Sequence, residues 1–315
     1  MVTKFQSGYE KWVVVNEVPT CIQTYGAEIG EEIKSDTIIV VVPGNPGVTD
    51  FYVSFMKSLQ LKCGQHPVWV VGHAGHEFHP ECPSLTKRPE LFNLAAQVKH
   101  KVDFITKHIP NDRKVILIGH SIGAKICVEL MKNEMINKRV NQMHLLFPTL
   151  EHIAETKNGR WFQSVLSRLA PILTFLTCVL VACTPEFLRF YIIKTGSMVK
   201  FRTTNVDDSI VHGVMKLVKP PIIRQTIFLA KDEMMEVQEL DHEVYLRHGS
   251  KIVAYYAQED GWSPLAHREN LKSRYPYVTA PVMEGKFEHA FMIHCASEMA
   301  EKVAISIQKK NDENS

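Results

Sequence analysis

Apolar and polar positions divide this chain into short β-like runs and longer helix-like stretches. Near the start, Trp12-Val13-Val14-Val15 and Cys21-Ile22-Gln23-Thr24-Tyr25 are β-rich runs separated by Pro19, which predicts a β-hairpin. Five further runs, residues 37–42, 68–71, 115–118, 143–147 and 252–256, are apolar and of strand length, as parallel strands covered on both faces are. Between them, residues 51–61, 91–108 and 124–132 return apolar side chains near helical spacing. Strand alternating with helix predicts an α/β fold with a doubly wound, mostly parallel sheet and helices on both faces. Residues 151–248 interrupt the alternation between the runs at 143–147 and 252–256; they are mostly helical and apolar and read as a lid over the carboxyl end of the sheet. The chain then divides into a core half at 1–150, the lid at 151–248 and a second core part at 249–315, with a polar, frayed tail expected at 311–315.

Within the lid, residues 169–185 carry no charge, and Pro171 and Pro185 bracket the run from Ile172 to Cys183. Spanning a bilayer takes about 20 apolar residues, so this stretch is marginal for crossing and better suited to shallow insertion of an apolar face into a lipid surface. Residues 189–224 hold seven Lys/Arg against Asp207 and Asp208, a net of +5 that favours anionic headgroups. A helix packed over a pocket explains the same run, and the two roles are compatible if the lid opens on the surface.

Composition narrows the picture. A chain of 315 residues with 45% hydrophobic content suits one large α/β domain carrying an insertion, or two small domains. A net charge of +2 and no Lys/Arg stripe interleaved with aromatics argue against a nucleic-acid partner. The seven cysteines are scattered and without CxxC spacing, so they read as reduced thiols in a cytosol-facing protein. Residues 1–7 hold no apolar core of signal-peptide length, and the protein is expected not to be secreted.

The chemistry enters at Gly119-His120-Ser121-Ile122-Gly123, which follows directly on Lys114-Val115-Ile116-Leu117-Ile118 and precedes a helix-like stretch. A GxSxG between strand and helix is the nucleophile elbow of α/β-hydrolases, where a sharp turn exposes the serine Oγ. Ser121 is therefore the candidate nucleophile. In this fold the acid and the base follow in the order Asp or Glu, then His. Asp260, in the loop Gln258-Glu259-Asp260-Gly261-Trp262 after a late strand, is the candidate acid, with Glu259 and Asp232 as alternatives and a loop cap as its plain structural role. His289, in Gly285-Lys286-Phe287-Glu288-His289-Ala290-Phe291, is the candidate base; His294 falls inside the helix that follows, and His120 reads as a packed elbow residue. The oxyanion donors are expected to be the backbone N–H of Ile122 and Asn45, since in Pro43-Gly44-Asn45-Pro46-Gly47 neither proline has an N–H to give. A rigid Pro/Gly turn is the simpler account of that loop. His73, His76 and His79 crowd one loop, but its strand position places it as pocket lining, and a hydrolase with a serine elbow needs no zinc. No metal or cofactor is expected.

These motifs also carry a resemblance. Pro43-Gly44-Asn45-Pro46-Gly47 with Phe51-Tyr52-Val53, Gly72-His73-Ala74-Gly75-His76, Gln97-Val98-Lys99-His100-Lys101, the elbow, and Leu145-Leu146-Phe147-Pro148-Thr149 resemble the lipid droplet-associated hydrolases of the α/β-hydrolase superfamily. Pro185-Glu186, Glu233-Met234-Met235-Glu236-Val237, Asp260-Gly261-Trp262 and His289-Ala290-Phe291 continue it through nearly the whole chain. The resemblance implies that Ser121, Asp260 and His289 are the triad, that the protein sits on lipid droplets and the endoplasmic reticulum, and that its substrates are neutral-lipid or sterol esters. The family's turnover is weak, so a droplet-organising protein with little hydrolysis is the alternative, and a soluble small-ester or peptide hydrolase with an ordinary buried lid is a third reading.

Overall fold

The continuous apolar runs form the middle of one eight-stranded sheet. The computed structural model describes residues 8–64, 66–201 and 206–313. Its strands are β1 (Tyr9–Val15), β2 (Val18–Tyr25), β3 (Thr37–Val42), β4 (Val68–Val71), β5 (Lys114–His120), β6 (Val140–Leu146), β7 (Ile252–Ala257) and β8 (Val282–Met283). They lie in the order β1-β2-β4-β3-β5-β6-β7-β8, with β1 and β2 antiparallel to their neighbours and the remainder parallel. Successive side chains along a strand point to opposite faces, and the core divides accordingly. Ile38, Val40 and Val42 pack with α2 (Leu94–His108) and α3 (Ile122–Leu130); Ile39 and Val41 pack with α1 (Val53–Cys63) and the C-terminal helix Ala296–Glu313.

Three expectations change at the edges of this frame. The hairpin turns at Asn16-Glu17, both at positive φ (44° and 69°), rather than at Pro19. A two-residue turn of that kind matches the twist of the strands it joins. Pro19 instead pairs with Val14 inside β2, at a point where β2 has no neighbour on its other side, because the β2–β4 ladder runs only from Ile22 to Tyr25. β8 escapes pattern reading because two residues are too few to show a period. The tail is helical to Glu313, and Asn311 Oδ1 accepts a 2.7 Å bond from Gln142 Nε2 that docks this end on β6, so fraying does not begin at 311. Residues 1–7, Arg202 of the basic flank and Asn314-Ser315 lie outside the described residues.

Between β6 and β7 the chain is helical. A long helix, Lys157–Cys183, contains a π-helical turn at Phe162–Leu166. Helices Glu186–Phe201, Asp208–Leu217, Pro220–Glu236 and His242–His248 follow. Lys216 holds this insertion to the core: its Nζ lies 2.5 Å from Asp50, 2.9 Å from Glu77 and 3.1 Å from Glu10. Against burial, Glu77 and Asp50 push the ammonium strongly toward its charged form. Burial raises the Asp50 carboxyl, because the one cation is shared among three acids.

The long helix is apolar and long enough to cross a membrane by length and composition. From Ser167 to Cys183 only Ala170 and Thr174 are buried. Phe175 is 65% exposed and Ile172 56%, while on the helix that follows Phe187 is 67% and Val199 74% exposed. Isolated exposed apolar residues are ordinary, but a contiguous face of this kind is a contact surface.

Candidate active site

β5 ends in the elbow. Ser121 has φ 53°, a left-handed conformation uncommon for a residue with a Cβ. Backbone bonds hold it there: Ser121 N donates to Leu146 O (3.0 Å) and Ala124 N to Ser121 O (3.0 Å). The two glycines have distinct steric reasons. A Cβ on Gly119 would strike the Ala124 backbone, and one on Gly123 would strike the carbonyl oxygens of Val42 and Pro43, so α3 could not settle against β3 and β5.

The structure brings Ser121, His289 and Asp260 into hydrogen-bond reach. His289 Nε2 lies 2.9 Å from Ser121 Oγ, and His289 Nδ1 lies 2.8 Å from Asp260 Oδ2. The other oxygen, Asp260 Oδ1, accepts from the N–H groups of Trp262 (2.8 Å) and Ser263 (3.1 Å). Burial by itself would raise this carboxyl, but the hydrogen bond and charge of His289 and the two amides outweigh it and hold Asp260 below its ordinary range. The alternatives lie elsewhere: Glu259 and His294 are exposed, and Asp232 accepts from Leu94 N (2.7 Å) at the start of α2.

Two residues make supporting contacts that the sequence does not reveal. The His289 carbonyl can only accept, so His120 Nε2 donates to it (2.9 Å). His120 Nδ1 must then accept from Tyr52 Oη (2.7 Å), which in turn accepts from Gly44 N (2.8 Å). This chain ties the loop after β3 to the loop bearing His289. Burial drives the His120 pKa down to about 3, so it stays neutral as the bonding pattern requires, and it is packed behind the elbow as expected. The second residue, Glu233, is buried and lies against an amide rather than a cation; its Oε1 accepts from Asn45 Nδ2 (3.0 Å), which also donates to Thr226 O (3.0 Å). Burial raises the Glu233 carboxyl to about 8. A signal for it exists in the sequence: Ile222, Gln225, Leu229 and Glu233 fall on one helical stripe, the buried one. The Asn45 side-chain amide is thereby committed to the insertion.

The three-histidine loop is a correction. It does not line the cavity, because β4 lies outside β3 and its exit loop packs beneath residues 43–47. His73 N donates to Gly47 O and His76 Nδ1 accepts from Gly47 N, both at 3.1 Å. His79 turns away to stack on Trp12 at 4.9 Å between ring centroids, so the three rings do not converge. Among the described residues, Glu10, Cys21 and Glu77 approach metal-ligand spacing, but Lys216 already sits on both carboxylates.

Above Ser121 lies a cavity of about 430 Å³. Ser121, His289 and Asn45 border its polar end, and Phe162, Leu166, Ile210, Val214 and Ile227 of the helical insertion give it apolar walls. A serine hydroxyl against a carboxylate-oriented imidazole can attack an acyl carbon, and apolar walls suit a long acyl chain.

Sheet order, elbow and insertion together define an α/β-hydrolase. A serine hydrolase of the bacterium Cycloclasticus zankles superposes with a TM-score of 0.61 at 15% identity, covering 98% of each chain. Residues 35–292 match the family model described as lipid-droplet associated hydrolase, and the chain belongs to that family. It is 36% identical over 305 residues to the lipid droplet-associated hydrolase of Drosophila melanogaster, covering 95% of this chain and 98% of that one. It is 31% identical over 281 residues to that of Homo sapiens, covering 86% and 84%.

Proposed function

We propose that this hydrolase cleaves lipid esters of the neutral-lipid or sterol-ester class at the lipid droplet surface through a Ser121–His289–Asp260 acyl-enzyme mechanism. One observation carries the reading: the hydrogen-bonded serine, histidine and aspartate open into an apolar cavity walled in part by the start of the helix that exposes its apolar side chains to the outside. His289 Nε2 takes the Ser121 proton as Oγ attacks the ester carbonyl carbon, and returns it to the departing alcohol. Asp260 orients the ring and stabilises the imidazolium, while the N–H groups of Ile122 and Asn45 receive the negative oxygen. Water, activated by the same histidine, then releases the fatty acid. No cofactor takes part. Residues 151–248 act as the lid, and the apolar helix enters the phospholipid monolayer of the droplet or the cytosolic leaflet of the endoplasmic reticulum.

The test is labelling of the purified protein with a fluorophosphonate together with hydrolysis of an emulsified ester. Both are expected in the wild type and absent in Ser121→Ala; equal labelling of the two would sink the mechanism. A second reading, a droplet-organising protein with little turnover, draws on the exposed apolar side chains of the helices Lys157–Cys183 and Glu186–Phe201, which need no serine. Droplet size and clustering unchanged by Ser121→Ala in cells would favour it.

A further inference from the structure

The cations beside the apolar helix are not equivalent. Lys194 pairs with Asp208 at 2.6 Å, Lys216 is enclosed by three carboxylates, and Lys219 lies 5.2 Å from the centre of the Phe78 ring. Arg224 has no ion pair among the described residues, and neither has Lys231, which lies beyond the basic flank read from the sequence. Both are exposed on the helix Pro220–Glu236. A separation of seven residues puts them on the same side, about 10 Å apart along the axis. The neighbouring acid, Asp232, is occupied by Leu94 N.

These two cations border a groove of about 440 Å³ between their helix and the apolar one. Pro171, Phe175 and Cys178 form one wall, and Ile227 and Phe228 the other. Phe175 belongs also to the exposed apolar face, so the groove opens onto the surface assigned to lipid. Ile227 borders the cavity above Ser121 as well, so groove and cavity share this wall residue. The occupant that uses every part of the groove is an amphiphile with an anionic head. A neutral ester would leave the cations without a partner, and free phosphate would leave the apolar walls bare.

We propose that this groove binds an anionic glycerophospholipid, its phosphate between Arg224 and Lys231 and one acyl chain along Phe175 and Phe228. The assignment rests on the lipid-surface reading above and adds a headgroup preference to it. The bound chain packs on the outer side of Ile227 and braces the wall of the substrate cavity.

The experiment is flotation of the full-length protein with triolein emulsions coated in phosphatidylcholine alone or in phosphatidylcholine doped with phosphatidylserine. Wild type is expected to favour the serine-lipid surface, less so as salt rises. At low salt the double variant Arg224→Gln/Lys231→Gln is expected to lose about 30-fold of that binding. It keeps wild-type flotation on phosphatidylcholine and wild-type hydrolysis of a soluble short-chain ester, which shows that it is folded. Arg224→Lys/Lys231→Arg is expected to retain the preference. A double Gln variant with undiminished preference overturns the groove assignment, as does wild type that floats equally on both surfaces. Wild type that floats on neither overturns the lipid-surface reading and the groove with it.

Discussion

Around Ser121 the protein closes its hydrogen bonds internally: Asp260 is met by His289, Trp262 and Ser263, and His120 by Tyr52 and the His289 carbonyl. On the two helices Lys157–Cys183 and Glu186–Phe201 the reverse holds, with Ile172, Phe175, Leu176, Phe187 and Tyr191 facing outward. The first region is complete by itself, whereas the second presents apolar surface that only another phase can cover. The long helix joins the two, since Phe162 and Leu166 at its start wall the cavity while most residues beyond Ala170, Thr174 excepted, are not buried. One end of this helix thus shapes the cavity beside Ser121, and the remainder presents apolar surface to the outside.

The largest effect separates these regions outright. Ser121→Ala is expected to lower ester hydrolysis by about 10⁴-fold or more, and Asp260→Asn by about 10⁴-fold, without changing droplet binding. Co-loss of binding in a folded Ser121→Ala protein would break the comparison. Next in size is the joint between insertion and core. Lys216→Met leaves Asp50 and Glu77 facing each other unneutralised and is expected to cost about 3 kcal/mol in denaturant unfolding, as breaking a buried ion cluster does. A loss below about 0.5 kcal/mol would mean that the cluster behaves as a surface pair.

A charge on the outward face probes the other region. Leu176→Asp is expected to weaken partition onto droplets by about 3 kcal/mol, the cost of an aspartate in an inserted helix, while turnover of a soluble short-chain ester stays unchanged. Undiminished partition would remove the long helix as the anchor.

The effect that is smallest per step, a pH dependence, tests the boundary between the regions. The Glu233 carboxyl is raised from its ordinary 4.5 to about 8, so its contribution to stability is full below pH 4.5 and is lost as pH rises toward 8. Wild type should lose up to about 1.4 kcal/mol per pH unit across that window relative to Glu233→Gln, which cannot ionise and keeps an acceptor for Asn45. Parallel pH profiles of melting temperature for the two proteins would show that Glu233 does not titrate there.

Much of the frame was readable because it depends on local pattern. The uninterrupted runs at 37–42 and 68–71 coincide with β3 and β4, since strands buried on both faces admit no polar interruption. That Ser121, Asp260 and His289 lie within hydrogen-bond reach of one another was readable because strand–turn–helix order restricts where an elbow serine and the side chains facing it can sit. The hairpin turn was misplaced because Pro19 looks like a breaker until the missing neighbour beside it is known. The His73–His79 loop was misread because whether a strand's exit reaches the site depends on its place in the sheet order, which no local pattern contains.

The sequence by itself determined the alternating elements, the elbow and the apolar run, because backbone geometry and hydrophobic period act over a few neighbours. Tertiary packing alone settles that Glu233 meets Asn45 across 188 positions, that Lys216 is consumed by three acids while Arg224 has no ion pair among the described residues, and that the apolar helix exposes most of its side chains. Those outcomes depend on which surfaces the packed helices bring together, and a buried carboxyl or an unpaired cation acquires its properties from neighbours distant in the chain.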